Sequence, residues 1–391
     1  MRIRQSSVNA APFRSTPEDF SKRRIINKAL LPLLLIFCAF ASSALAANLF
    51  VVARLSNLVT VIDDSTDQII TRIPVGNGPV RIAMSPDGLK AYVSNGQAGT
   101  VSVLDTVALT TTATIQLTPS SRPAESAVTP DGGRLFLCHQ LSPTVSVIDT
   151  ATNQVITQVF IGGSQAKDIL FTLDGRFAYV ANYSQGAVNV IDTATYQVNT
   201  ILTGGGPRRL AISPTGDRVY VANNFDNSVS AIDTGTQQVI ATIRVGHKPR
   251  GIAVTPSGDA VYVTNTESAT VSIIDSGTLT VVNTIRVPTK PWNVIFTSDG
   301  TLAFVSSSVA GDVSVIDTAT QEIIVTLATG DGSFFSAINP DGTKFYVSNT
   351  SDATVSVVDI ASLTVLRVIP GVGQYPFDMA FGQEPSARIN R

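Results

Sequence analysis

The chain has 391 residues, of which 44% are hydrophobic and only 14% are charged. Its 28 Gly and 20 Pro, together with many Val, Ile and Thr, are typical of a large all-β protein and argue against a helical one. The formal net charge of −2 disfavours a protein whose whole surface binds nucleic acid.

The first 46 residues have the pattern of a secretory signal peptide. Four basic residues between positions 22 and 28 precede an apolar run over residues 29–40, and Ala44-Leu45-Ala46 resembles a signal-peptidase site. We therefore expect cleavage before Ala47, export by the secretory rather than the twin-arginine route, and a location in the periplasm or at the cell surface. An uncleaved N-terminal anchor is the alternative. No later stretch approaches the ~18 apolar residues of a membrane-spanning helix.

Removal of residues 1–46 changes the charge and the cysteine content of the chain. It leaves 20 basic and 27 acidic side chains, a formal net charge of −7, and Cys138 as the single cysteine. An internal disulfide is therefore excluded, and stability must come from packing. A basic patch could still bind nucleic acid, but the acidic balance disfavours it.

An internal repeat predicts the fold. Segments such as VTVID, VSVLD and VSVVD end in an aspartate eight times, 41 to 44 residues apart, at Asp63, Asp105, Asp149, Asp192, Asp233, Asp275, Asp317 and Asp359. A strand such as YVSN or YVTN precedes each segment, and a polar turn, a Thr-rich strand and a PxxIA strand follow it. Four short strands per repeat predict one propeller blade, so we expect an all-β, eight-bladed β-propeller of four-stranded antiparallel blades.

The phase of the repeat predicts how the ring closes. The first repeat lacks its inner strand, whereas residues 376–382 are an extra copy of that strand at the C-terminus. We expect these residues to pair antiparallel with residues 49–54, which leaves no open seam between the first and last blade. The predicted domains are a signal peptide over 1–46, the propeller over 47–383 and a tail over 384–391.

The repeat, P-x-x-I-A-x-S/T-P-x-G followed by Y-V-x-N, V-S-V-I-D-T and T-I-x-V-G, resembles the YVTN-type β-propeller repeat over about residues 48–383. Members of that family are exported bacterial proteins and archaeal surface-layer proteins. More distantly, the repeat is similar to lactonase propellers and to the d1-haem propeller of nitrite reductase. The resemblance implies a fold and a location, but it implies no single activity because one propeller scaffold hosts many functions.

Residues that recur in every repeat are interpreted as scaffold. An active site needs a carboxylate once or twice, so the eight strand-ending aspartates are expected to accept hydrogen bonds from turn backbone. The recurring asparagines of Y-V-x-N receive the same interpretation: Asn95, Asn182, Asn223, Asn265 and Asn349.

The repeats differ most beside the Pro that opens the inner strand. In chain order these windows are GPVR (78–81), RPAE (122–125), QAKD (165–168), GPRR (206–209), KPRG (248–251), KPWN (290–293), SFFS (333–336) and YPFD (375–378). The residues after the Pro position are then Val80, Ala124, Lys167, Arg208, Arg250, Trp292, Phe335 and Phe377. In propellers this segment lies at the mouth of the central channel, so a basic arc should face an aromatic arc there.

Cations beside aromatic rings suit an anionic ligand with an apolar or π face. The predicted ligand-binding residues are Lys167, Arg208, Arg209, His247, Lys248, Arg250, Lys290, Trp292, Phe335 and Phe377. The alternative is that these windows have drifted and that Phe335 and Phe377 only plug the channel. We expect a monomeric, non-enzymatic module without a cofactor, which binds an anionic or aromatic ligand or an envelope protein.

Two further functions remain open. A lactonase- or lyase-type enzyme is compatible with the fold, although no acid, base and metal-ligand set stands out from the repeats. Non-covalent binding of a tetrapyrrole such as d1 haem would need His139 or His247, the only histidines, as an axial ligand. A metal site built by the protein is not expected, because these histidines lie on different blades and one cysteine remains.

Overall fold

A computed structural model describes residues 47–118 and 121–382. These residues form 32 β-strands in eight four-stranded antiparallel sheets, which confirms the predicted eight-bladed propeller. The predicted signal peptide and C-terminal tail lie outside the described residues. Within the described ranges, no helix is long and apolar enough to cross a membrane.

Each blade has an inner, a second, a third and an outer strand, counted from the channel outward. The inner strands are β4 (Pro79–Met84), β8 (Pro123–Val128), β12 (Ala166–Phe171), β16 (Pro207–Ile212), β20 (Pro249–Val254), β24 (Pro291–Phe296), β28 (Ser333–Ile338) and β32 (Pro376–Gly382). The second strands are β1 (Asn48–Ala53), β5 (Lys90–Asn95), β9 (Arg134–His139), β13 (Phe177–Asn182), β17 (Arg218–Asn223), β21 (Ala260–Asn265), β25 (Leu302–Ser307) and β29 (Lys344–Asn349).

The outer half of each blade completes the sheet. The third strands are β2 (Leu58–Asp63), β6 (Thr100–Asp105), β10 (Thr144–Asp149), β14 (Ala187–Asp192), β18 (Ser228–Asp233), β22 (Thr270–Asp275), β26 (Asp312–Asp317) and β30 (Thr354–Asp359). The outer strands are β3 (Gln68–Pro74), β7 (Thr110–Gln116), β11 (Gln154–Phe160), β15 (Val198–Leu202), β19 (Gln238–Arg244), β23 (Thr280–Arg286), β27 (Glu322–Ala328) and β31 (Thr364–Pro370). Blade 1 is β32 with β1–β3, and blades 2–8 follow in chain order.

The ring closes as the repeat phase predicts. Strand β32 pairs antiparallel with β1, with Asn48 opposite Gly382 and Phe50 opposite Ala380. The Tyr346 hydroxyl of blade 8 lies 2.7 Å from Oδ1 of Asp64 in blade 1, and the two blades are thereby joined at the seam. The ring of blades is therefore continuous across the seam, and blade 1 has its inner strand like the other seven blades.

The core lies between successive blades. Residues of the second and third strands are buried on both faces, whereas outer strands alternate between exposed and partly buried residues. In one cluster, Phe136 and Val147 of blade 3 pack against Ile169 and Val180 of blade 4. Truncating a fully buried aromatic such as Phe136 to Ala would cost ~3–5 kcal/mol of folding free energy. A blade cannot bury both faces alone, which explains why the repeat must form a ring.

The recurring polar residues serve the scaffold, as predicted. Oδ1 of Asp149 accepts hydrogen bonds from the backbone N–H groups of Ala151 and Thr152, at 3.0 and 2.7 Å. Nδ2 of Asn95 donates to Oγ of Ser102 on the adjacent strand at 2.9 Å. These contacts tie each turn and each strand pair together, and they recur around the ring.

The repeat gives the ring two chemically different ends. At one end the inner strands begin, the second strands end and the outer strands end; we call this end the mouth face. At the other end the third strands finish in the eight recurring aspartates; we call this end the acidic face. Connections from an outer strand to the next inner strand all cross the mouth face.

Candidate functional site

The mouth is shaped by a distortion at the start of every inner strand. The first residue of the strand pairs normally, as Pro79 does with Asn95, but the register then shifts, and Arg81 pairs with Ser94. All eight inner strands carry this β-bulge. A bulge inserts an extra residue and re-aims its side chain. The second and third residues of each inner strand are therefore the positions that define the mouth.

The residue before each inner strand has a left-handed backbone. Glycine fills this position in three blades, whereas Lys248 and Lys290 adopt it with φ of 55° and 59°. A residue with a Cβ is strained in this region. Arg122, Gln165 and Tyr375 adopt the same conformation before the inner strands of blades 3, 4 and 1, so five of the eight blades carry a side chain at this strained position.

The structure corrects one predicted site residue. Ser333 pairs with Asn349 as Pro79 pairs with Asn95, so Ser333 is the first residue of its inner strand. Phe334, not Phe335, is consequently the second residue of blade 8. The window without a Pro was misaligned by one position because nothing else in that segment marks the register. Phe335 is the third residue and is buried, with 8% of its surface exposed.

Three cations of successive blades form a basic arc at the second position. Lys167, Arg208 and Arg250 are each partly exposed. None of the three forms an ion pair or a side-chain hydrogen bond with another residue of the described ranges. Burial and then its neighbours Arg208 and Arg209 lower the pKa of Arg250, and burial followed by Arg208 lowers the pKa of Lys167.

These shifts have a direct physical meaning. A guanidinium stays protonated in proteins. A lowered pKa for Arg250 therefore indicates an unfavourable free energy of holding crowded, partly desolvated positive charges without an anion nearby. An anion placed in the arc would relieve that repulsion.

An aromatic cluster continues the ring from blade 7 to blade 1. The Trp292 ring meets the Phe334 ring edge to face, with centroids 4.4 Å apart, and Phe334 lies 6.2 Å from Phe377. The Arg250 guanidinium lies on the face of the Trp292 ring, where the ring quadrupole attracts it. Gly251 lets the backbones of these two inner strands approach closely, because a Cβ there would lie 2.6 Å from the Trp292 carbonyl oxygen.

A second aromatic pair flanks the other side of the basic arc. Tyr183 and Phe225, on the turns after the second strands of blades 4 and 5, have ring centroids 4.9 Å apart. Nζ of Lys167 lies 5.4 Å from the Tyr183 ring, and Nζ of Lys248 lies 4.6 Å from the Phe225 ring. Sequence reasoning missed these two aromatics because it compared only one window per repeat. Comparing the turns after Y-V-x-N would have found them.

Beneath this ring, the third residues close the channel with a network of opposite charges. Arg81 binds Glu125 through two contacts, Nη2 to Oε1 at 2.7 Å and Nε to Oε2 at 2.8 Å. Arg209 binds Asp168 at 3.2 Å and lies 4.0 Å from Glu125. Sequence reasoning identified Arg209 but missed Arg81 and both carboxylates.

Phe335 lies at the centre of this floor. The guanidinium carbon of Arg81 lies 4.3 Å from the centroid of the Phe335 ring, and that of Arg209 lies 5.5 Å from the same centroid. Burial raises the pKa of Asp168 to about 6 despite the attraction of Arg209. Burial also raises the pKa of Glu125, but Arg81 and Arg209 outweigh it, so its pKa lies below the ordinary value. Phe335 is therefore buried among the charges of the floor, whereas the three cations of the basic arc are partly exposed.

Three other predicted residues lie toward the edge of the mouth. His247 is exposed, and Lys248 rests on Phe225 rather than on the channel wall. Lys290 is ion-paired with Glu267 at 2.6 Å, so its charge is already neutralised. The structure therefore brings Lys167, Arg208, Arg250, Trp292 and Phe377 together as second residues, and it separates His247, Lys248 and Lys290 from that arc.

The histidines do not meet at the mouth. His139 takes the place of the scaffold asparagine in blade 3, is fully buried, and lies 2.8 Å from Oγ of Ser146 through Nε2. Burial lowers the pKa of His139 to about 4. His139 is therefore held inside blade 3 in the place of a scaffold asparagine, and its side chain is not exposed to a ligand at the mouth. Across residues 47–118 and 121–382, no three His, Cys, Asp or Glu side chains are grouped to hold a metal ion.

Comparison with protein families supports the propeller assignment. A family model described as "Lactonase, 7-bladed beta-propeller" matches residues 65–238, and one described as "YNCE-like beta-propeller" matches residues 205–304. Each match spans less than half of the chain. The first describes a seven-bladed ring, whereas this chain forms eight blades. No curated protein matches the chain.

Solved structures share the fold at low sequence identity. Hydrazine synthase of Kuenenia stuttgartiensis is 24% identical, with a TM-score of 0.58, over 73% of this chain and 96% of that chain. Dihydro-heme d1 dehydrogenase NirN in complex with DHE is 18% identical, with a TM-score of 0.74, over 85% of this chain and 74% of that chain. At these identities the likeness extends to the fold alone.

Proposed function

We propose that this β-propeller is an exported, non-enzymatic binding module of the cell envelope or cell surface, which takes an anionic ligand with a planar apolar face at its mouth. The repeats are proposed to be of the YVTN type, and residues 1–46 to be the cleaved signal peptide. The chain is proposed to act as a monomer, because its eight blades close into one ring without a strand from another copy.

One observation carries this proposal: three cations without acidic partners lie between two aromatic groups. Lys167, Arg208 and Arg250 supply donors for carboxylate, sulfonate or phosphate oxygens. Tyr183 with Phe225 on one side, and Trp292 with Phe334 on the other, supply faces for a flat apolar body. A ligand that is only anionic would not contact the aromatic faces, and a ligand that is only flat and apolar would leave the three cations without a partner.

Lactone hydrolysis is the second candidate, and the family match over residues 65–238 favours it. A hydrolase needs a base with a free lone pair facing its substrate. Asp168 instead accepts hydrogen bonds from Arg209 and from the Leu210 N–H, and Glu125 is held by Arg81. Binding therefore ranks above catalysis. Lactone turnover by the wild type that is lost in Asp168→Asn would reverse this order.

A tetrapyrrole carboxylate belongs to the proposed ligand class, and the likeness to a structure in complex with DHE makes it worth testing. It would have to bind without His139. Nucleic acid remains disfavoured by the net charge of the chain after residue 46.

Isothermal titration calorimetry with three probes tests the proposal. Pyrene-1,3,6,8-tetrasulfonate is flat and anionic, inorganic sulfate is anionic only, and a neutral water-soluble pyrene derivative is flat only. We expect one site per chain for the tetrasulfonate and at least about tenfold weaker binding of the other two, because each lacks one class of contact worth ~1.4 kcal/mol or more. Equal affinity for all three probes, or none for the tetrasulfonate, would reject the proposal.

A further inference from the structure

The two ends of the ring carry opposite charge. The acidic face holds the eight aspartates that end the third strands and seven more in the turns after the inner strands: Asp87, Asp131, Asp174, Asp217, Asp259, Asp299 and Asp341. The mouth face holds nine cations: Arg54, Arg122, Lys167, Arg208, Arg244, Lys248, Arg250, Arg286 and Lys290. An anionic surface therefore attracts the mouth face and repels the acidic face, so the protein approaches such a surface with its mouth face first.

The exposed acids of the mouth face are largely engaged. Glu267 is paired with Lys290, and Asp226 and Asp352 accept hydrogen bonds from the backbone N–H groups of Gly205 and Asp331. Asp331 is the fourth exposed acid. The face as a whole therefore remains positive.

Large apolar side chains project from the same face. The second residue of the turn after the second strand is apolar in blades 1, 3, 5 and 7, where Leu55, Leu141, Phe225 and Val309 are 60%, 60%, 52% and 64% exposed. The same position is polar in the four blades between them: Gln97, Ser184, Glu267 and Ser351. Equivalent positions of a ring have the same height, so these four tips can meet one flat surface together.

Two further tips extend this apolar set on neighbouring blades. Phe160 and Leu202, the last residues of the outer strands of blades 3 and 4, are 66% and 76% exposed. With Leu141 and Phe225 they place four exposed apolar groups on blades 3 to 5, beside the basic arc. We propose that the mouth face docks onto an anionic lipid surface, with these tips entering the headgroup region and the surrounding lysines and arginines binding the lipid phosphates.

A lipid surface fits better than a second copy of the chain. Two copies stacked mouth to mouth would oppose like charges. A copy stacked by its acidic face would meet the tips with grooves such as the one of ≈ 260 Å³ lined by Pro130, Asp131, Arg134 and Asp174, where charged side chains would lie against the apolar tips. A bilayer supplies both the negative charge and the apolar layer beneath it.

Vesicle co-sedimentation tests the inference. The 32 strands of the described residues lie within residues 48–382, so the chain from Ala47 to Arg391 contains the complete ring. Equimolar phosphatidylglycerol and phosphatidylcholine vesicles should bind it at least about tenfold more tightly than pure phosphatidylcholine vesicles at low salt, and 0.5 M salt should remove the difference. The variant with Leu141, Phe160 and Leu202 all changed to Ser, which leaves the proposed ligand site intact, should lose at least about tenfold in vesicle binding.

Matched controls separate docking from folding and from ligand binding. Serine at Leu89, Val107 and Leu173, exposed on the acidic face, should leave vesicle binding unchanged. The tip variant should keep its melting temperature, because exposed side chains contribute little to folding. It should also keep its affinity for pyrenetetrasulfonate, so that docking can fail while the proposed function stands. Equal binding to both vesicle types, or head-to-tail oligomers in sedimentation velocity that the tip variant abolishes, would overturn the inference.

Discussion

Changing Arg250 to Met should weaken anion binding without weakening the fold. Methionine keeps an unbranched chain that can pack on the Trp292 ring, with a sulfur–aromatic contact worth ~0.3–1.5 kcal/mol. That contact offsets the lost cation–π attraction of ~0.5–1 kcal/mol. The substitution removes one positive charge from the crowded basic arc. That charge is unfavourable in the folded protein, because Arg208 and Arg209 both disfavour the charged form of Arg250.

The expected magnitudes have opposite signs for folding and for binding. A partly exposed charge that is relieved of repulsion should gain ~0.5–1 kcal/mol of folding free energy at most. For a ring of this size that is a rise in melting temperature of ~1–2 °C at low salt. Loss of a charge-assisted hydrogen bond should cost ~1.5–3 kcal/mol of binding, which is roughly 10- to 150-fold in the dissociation constant of pyrenetetrasulfonate.

Differential scanning calorimetry and titration calorimetry measure the two effects on the same samples. The melting difference should vanish in 0.5 M salt, because screening removes the repulsion. Arg244→Met, at an exposed arginine on the outer part of the mouth face, is the matched control and should change neither quantity. A melting temperature that falls by more than about 3 °C, together with unchanged probe affinity, would refute the reasoning and return Arg250 to a structural role.

Three further predictions follow from single features of the ring. Burial raises the pKa of Asp168 to about 6, so its contribution to stability is full below about pH 4 and is lost as the pH rises through about 6. Asp168→Asn should therefore flatten the change in unfolding free energy between pH 4.5 and 7, measured by urea titration at each pH. An unchanged slope of unfolding free energy against pH would contradict this. His139→Asn should preserve the melting temperature within a few degrees, because asparagine fills that position in five other blades; unfolding of this variant would speak for a separate role of the imidazole. Deleting residues 375–391 removes β32 from blade 1 and should abolish cooperative melting by circular dichroism, whereas a melt like that of the full ring would mean that β1 needs no inner partner.

The fold could be predicted almost completely because its information is local and repeated eight times. A Gly-containing turn, a Y-V-x-N strand and a V-S-V-I-D strand each specify one element, and the repeat count specifies the ring. The closure of the ring could also be predicted, because the inner strand that the first repeat lacks is present as an extra copy at the C-terminus, where it can complete blade 1. Only its limits differ by a residue, since β1 spans Asn48–Ala53.

The site could be predicted only in part, because it depends on register and on contacts between blades. Lys167, Arg208 and Arg250 stood out against the repeat and do lie at equivalent positions. Phe334 was missed, because its blade lacks the Pro that marks the inner strand. An alignment error of one position in a bulged strand therefore assigns a residue of the channel floor to the mouth.

The charges of the floor could not be predicted from any one repeat. Arg81 and Glu125 are the third residues of two neighbouring inner strands, and their pairing follows from the contact between two blades rather than from a motif within one. Lys290 had been counted with the arc, but Glu267 of the preceding turn neutralises it. A basic residue in a variable window therefore indicates a binding charge only after its partners are known.

The emission of Trp292 tests the central claim most directly, because it is the only tryptophan of the chain and lies at the mouth. Pyrenetetrasulfonate should change that emission saturably, with a one-to-one stoichiometry and the dissociation constant found by calorimetry. The combined Arg208→Met and Arg250→Met variant should shift the curve to at least about a hundredfold higher concentration, as two charge-assisted contacts are lost. Saturable binding that leaves Trp292 emission unchanged, or that is equally tight in the double variant, would contradict a ligand site at the mouth.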